Sequence, residues 1–264
     1  MLKLLRTWIL ATAAGVGLSM WCPTAALAQE WGSHGMIGVD QPPQTGPAPR
    51  RDLTGIWDAG AAGIAARGSP TAPLTPAGEK MIASHRPGDG PRASEIAGIN
   101  DPLSAMCDPA GFPRNLLFEL RPFQVVQTSN QVLMLYMFEK RFRVIWTDGR
   151  ELPKAPDPRW YGYSVGRWED DTTFVVNTIG MDDRTWLDNA GNPHSGEMRV
   201  EERYRRVNEG LVELTVTVDD PTAYTKPWVG RNALPLRRIP GNTDLMEMIC
   251  SATEAQAYRQ NMGR

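Results

Sequence analysis

One histidine flanked by carboxylates supplies the chain's best set of groups for proton transfer. In GMDDRTWLDNAGNPHS, residues 180–195, His194 can exchange a proton near neutral pH. Asp183 or Asp188 can orient its ring, and Trp186 can wall a substrate. Such a set suits general acid–base chemistry on a small organic molecule. The competing reading is a plain connecting loop, because Asp, Asn, Gly and Pro also build turns and a loop histidine is ordinarily solvated.

A second set lies on strand-like segments. In 197–206 the residues Arg199, Glu201, Arg203 and Arg205 alternate with Met198, Val200, Glu202 and Tyr204, which places Glu202 on an otherwise apolar face. A carboxylate there needs a partner or a raised pKa. Arg167, which shares a face with Tyr163 and Val165, is the expected partner. That pair is either a self-satisfied ion pair or the polar end of a ligand pocket walled by Tyr136, Tyr163, Trp186 and Tyr204.

Other chemistries find less. His34, His85 and His194 are scattered without metal-ligand spacing, so no metal is expected. His85 falls at the end of a short helix candidate, where a cation suits the helix dipole. No G-x-S-x-G elbow surrounds a serine, and Ser195 beside His194 in sequence is not the geometry of a relay. Phosphate-cradling and dinucleotide glycine motifs are absent, so no cofactor is expected. A glycosidase carboxylate pair stays open, since its separation is spatial.

The elements that must position these groups are mostly strands. From residue 120 the period becomes two, with strands expected near 122–128, 131–138, 141–147, 162–168, 172–178, 197–207, 211–218, 226–235 and 244–250. The turns TSN, EDD, NEG and PGN separate several of them. Val212, Leu214, Val216 and Val218 share one face. Residues 60–114 are loop-rich, with one helix candidate in PLTPAGEKMIASH, where Thr75 can cap and Pro76 can start it. The expected fold is all-β: an antiparallel meander closed into a barrel, with a loop-rich N-terminal extension.

The chain starts MLKLLR, continues through an apolar run and reaches Ala26-Leu27-Ala28, the pattern of a cleaved export signal over residues 1–28. Residues 29–50, rich in Gly, Pro and Gln, read as a disordered leader, and 51–264 as one β domain. Losing Lys3 and Arg6 with the signal moves the formal net charge from −2 to −4, which offers nothing to nucleic acid. No other long apolar run exists, so no membrane span is expected after cleavage. Cys107 and Cys250 then remain, and an even number in an exported chain suggests a disulfide. The compartment expected is periplasmic or extracellular.

Gly55-Ile56-Trp57 at the entry to a β-rich exported domain resembles the Gly-x-Trp start of the lipocalin or calycin superfamily, in which the Trp plugs one end of a ligand-binding barrel. The series DLTGIW, IWTDGRELP, GYSVGRWEDDT, TWLDNAGNPHS, VEERYRR and DDPTAYTKPW resembles a set of exported bacterial proteins. That resemblance implies export and a β domain and transfers no catalytic residue. Three functions follow as expectations. One is a barrel binding a small apolar or aromatic molecule inside. Another is a cofactor-independent lyase, isomerase or hydrolase with His194 as acid or base. The last is an envelope or adhesion module working through its surface.

Overall fold

The computed structural model describes residues 44–64, 72–88, 90, 92–94, 100–118, 120–251 and a few positions up to 261. The export signal, His34 and leader residues 29–43 lie outside the described residues. Residues 44–50 run beside the 208–210 turn, where Glu209 N donates to Gly46 O at 2.9 Å.

Nine strands close into a barrel in sequence order. They are β1 (Gly55–Asp58), β2 (Phe123–Gln127), β3 (Gln131–Tyr136), β4 (Phe142–Trp146), β5 (Tyr163–Trp168), β6 (Thr173–Ile179), β7 (Arg199–Asn208), β8 (Leu211–Asp219) and β9 (Trp228–Ile239). All neighbours are antiparallel except β4 and β5. Their parallel pairing obliges residues 147–162 to return the full length of the barrel. The expected strand at 244–250 does not form: the segment makes one isolated bridge, Phe138 to Met248. The ninth place goes to the Gly-x-Trp segment, which pairs with both β2 and β9 and leaves no open edge.

The short helices are α1 (Ala61–Ile64), α2 (Pro76–Ile82), α3 (Pro102–Met106) and α4 (Arg114–Leu117). α2 begins as its sequence suggests, with Pro76 in the first turn and the Thr75 hydroxyl accepting from Gly78 N at 3.1 Å. It ends at Ile82, so His85 lies beyond the reach of its dipole.

Different devices close the two ends of the barrel. At the end holding the turns 128–130, 169–172 and 208–210, Trp57 is buried and donates from Nε1 to Leu53 O at 2.8 Å. The Arg206 guanidinium lies 4.7 Å from its ring centre. At the other end, segment 110–118 forms a plug: Phe112, Arg114, Asn115, Leu116 and Leu117 are all at most 2 % exposed. Glu139 accepts from Ala110 N at 2.9 Å and Arg231 Nε donates to Leu116 O at 2.9 Å, which fasten the plug to the wall. Cys107, just before the plug, is disulfide-bonded to Cys250 across 143 residues.

Candidate functional site

Four adjacent strands send polar side chains into the barrel. Arg143 comes from β4, Ser164 from β5, Thr178 from β6 and Glu202 from β7, each at most 3 % exposed. Arg143 Nη1 and Nη2 donate to the two Glu202 oxygens at 2.9 and 2.6 Å, a bidentate pair. Nε donates to Ser164 Oγ at 2.9 Å, and Nη2 also to Thr178 Oγ1 at 2.6 Å. Burial alone would lower the pKa of Arg143, but the charge and hydrogen bonds of Glu202 outweigh it, so the guanidinium stays charged. Unpaired, either ion would be very costly here; together they are satisfied.

Two phenols complete the cluster. Tyr204 donates to Glu202 Oε2 at 2.7 Å, and burial followed by the Glu202 charge lifts its pKa well above the ordinary value. Tyr136 is also raised, mainly by burial, and its hydroxyl has Arg143 and Asn115 as neighbours. Both phenols therefore remain protonated donors.

The plug contributes the other side of the site. Phe112 lays its ring 3.9 Å from the Arg143 guanidinium, a desolvated cation–π contact. Asn115 approaches Tyr136, yet neither its Nδ2 nor its Oδ1 has a hydrogen-bond partner. A buried amide with both ends unpaired is uncommon, and each orphaned group costs about 1–3 kcal/mol.

Of the expected ligand-binding residues, Glu202, Tyr204 and Tyr136 meet here. Arg167 does not, and the expected Glu202–Arg167 pair is corrected to Glu202–Arg143. On β5 the inward face is Ser164 and Gly166, while Arg167 is exposed. The reason is steric: a Cβ on Gly166 would stand 2.4 Å from the Phe174 ring, so the inner face must be small where that ring crosses. Tyr163 shares the outer face with Arg167 and lies under the Arg159 guanidinium at 3.8 Å. Trp186 is buried but elsewhere, stacked on His85 at 4.6 Å.

His194 sits in a separate network. It is 2 % exposed, with Nε2 2.7 Å from Thr185 Oγ1 and Nδ1 3.2 Å from Ser195 O. Burial lowers its pKa and keeps the ring neutral. Neither expected orienting carboxylate hydrogen-bonds it. Asp183 is exposed and acts on it only through charge. Asp188 closes its own turn, accepting from Ala190 N at 2.9 Å and Asn192 Nδ2 at 2.6 Å. Ser195 gives its hydroxyl to Asp220 at 2.8 Å, not to His194. A surface recess of about 480 Å³ lies nearby, lined among others by Lys154, Met181, Met198 and Arg199; His194, Trp186 and Glu202 do not line it.

Sequence reading missed Arg143, Ser164, Thr178, Asn115 and Phe112. On β4 the alternation points the wrong way, because Phe142, Val144 and Trp146 make the outer face the more apolar one. Phe142 is 65 % exposed, and Trp146 is shielded by the Arg150 guanidinium 3.7 Å away. Among the described residues no group of three His, Cys, Asp or Glu side chains is arranged to hold a metal ion. Comparison of the chain with protein-family models, with curated proteins and with solved structures returns no match to any of them, so the barrel and its inner cluster rest on the chain's own geometry.

Proposed function

We propose that this chain is an exported barrel protein that binds a small apolar or aromatic molecule inside, at the Arg143–Glu202 cluster. The observation that carries the reading is Asn115, an amide 2 % exposed with no hydrogen bond on either terminal atom, beside the Tyr136 hydroxyl. A ligand offering a donor and an acceptor side by side relieves both orphaned groups. Phe112 supports an aromatic body, because the plug already stacks a ring on Arg143 where a ligand ring would lie. Entry then requires the plug to shift, so affinity is reduced by the small fraction of molecules with the plug displaced. The disulfide accords with an exported protein.

Native mass spectrometry of protein from the exported fraction tests this, followed by titration with aromatic acids, amides and phenols. The reading expects a bound small molecule, its loss in Asn115→Leu, and tighter binding in Phe112→Ala. A bare mass, together with no shift of the Asn115 side-chain NMR signals by any compound in the panel, would overturn it.

A further inference from the structure

On the outer wall of the barrel, β1 and β9 hold an acid and a base opposite one another that do not pair. Trp57 turns into the core, so Ile56 and Asp58 face outward. Asp58 is the register partner of Arg237. Side chains so placed have Cβ atoms about 4.5–5.5 Å apart, and opposite charges there ordinarily attract. Asp58 instead turns into a recess of about 160 Å³ that is lined by Ala59, Gly60, Ala61, Pro235, Arg237 and Ile239.

Asp58 is 3 % exposed. Its Oδ1 accepts from Gly60 N at 2.8 Å, whereas its Oδ2 has no partner. Burial pushes the carboxyl above its ordinary range, against the Gly60 and Ala59 amides and the charge of Arg121. One guanidinium lines the recess, Arg237 from β9. A simple cation would meet the Arg237 guanidinium, and a simple anion would meet the buried carboxylate. A molecule carrying both charges suits the recess, and the carbon of Ala59, Ala61, Pro235 and Ile239 leaves room for a short apolar body.

We propose that this recess binds a small zwitterion, an amino acid with at most a short side chain. Its ammonium donates to Asp58 Oδ2, its carboxylate meets Arg237 at the rim, and its carbon lies against the alanines and Ile239. Gly60 keeps the way open: no atom lies within 4 Å of where its Cβ would stand. The site is independent of the barrel interior.

The test is NMR titration of the full ¹⁵N-labelled chain with glycine, ethylammonium and acetate. Glycine should shift the amides of residues 58–61 and 237, with ethylammonium and acetate at least tenfold weaker. Asp58→Asn and Arg237→Gln should each weaken glycine at least tenfold while the rest of the spectrum stays in place. If Asp58→Asn fails to fold, the wild type decides: glycine affinity must fall as pH drops through the Asp58 titration. No shift at ~10 mM glycine, ten times the millimolar Kd expected of so small a ligand, overturns the proposal.

Discussion

At the scale of single residues, Arg143 and Glu202 have the most to lose from a change. Each is at most 2 % exposed and its charge is answered by the other. Glu202→Gln keeps the shape and strands the guanidinium, so urea unfolding should show a loss of about 3–5 kcal/mol. Replacing both, as Arg143→Met with Glu202→Leu, should recover most of that stability and abolish the proposed ligand binding. Equal destabilisation in the single and double variants would mean that the pair is not the interaction that matters. His194 and His85 make a prediction about pH. Burial lowers both pKa values from 6.5. The unfolded chain therefore binds protons that the folded one refuses, and stability rises with pH through that window. The contribution is complete above about pH 6.5 and is lost as pH falls below it. His194→Gln should unfold with a smaller stability difference between pH 7.5 and pH 5 than the wild type. An unchanged difference would place the pH dependence elsewhere.

At the scale of elements, the plug and the disulfide before it close one end of the barrel. The disulfide joins Cys107, before the plug, to Cys250 near the chain's end, across 143 residues. A loop of that length is worth about 4–5 kcal/mol in the entropic model, and native bridges removed from small exported domains cost about 2–5 kcal/mol. Cys107→Ser with Cys250→Ser should lower stability in that range and speed amide exchange over residues 110–118 well before β6, β7 and β8. Exchange that quickens equally everywhere would mean that the bridge does not hold the plug in particular. The elements also show what alternation can tell. On β8, Val212, Leu214, Val216 and Val218 are all buried, as their spacing implies, and α2 carries its own start in Thr75 and Pro76. On β4 and β5 the same rule fails for a physical reason. It ranks faces by apolarity, whereas here the inner face holds an ion pair and a glycine that clears space for Phe174. Asn115 gave no signal, because its burial depends on a four-residue helix lying across strands far away in sequence.

At the scale of the whole molecule, the barrel closes through its shortest strand. β1 has four residues, and both β2 and β9 depend on it for a partner. The alternating pattern after residue 120 made a β barrel legible. The identity of the closing strand was hidden, because an isolated GIWD has too little length to show a period. Closure there is held largely by one side chain. Trp57 is 1 % exposed, belongs to the core, hydrogen-bonds Leu53 and carries Arg206 over its ring. Trp57→Ala should cost about 3–5 kcal/mol, the range for a large aromatic removed from a packed core. The loss should be distributed in a particular way. β6, β7 and β8 pair with one another over long registers that do not involve β1. Hydrogen exchange in Trp57→Ala should therefore open first along β1, β2 and β9, with the centre of β7 protected until global unfolding. Such an order would make the Gly-x-Trp segment the clasp of the barrel. Simultaneous opening of every strand would make closure and core formation one cooperative event, with no special place for β1.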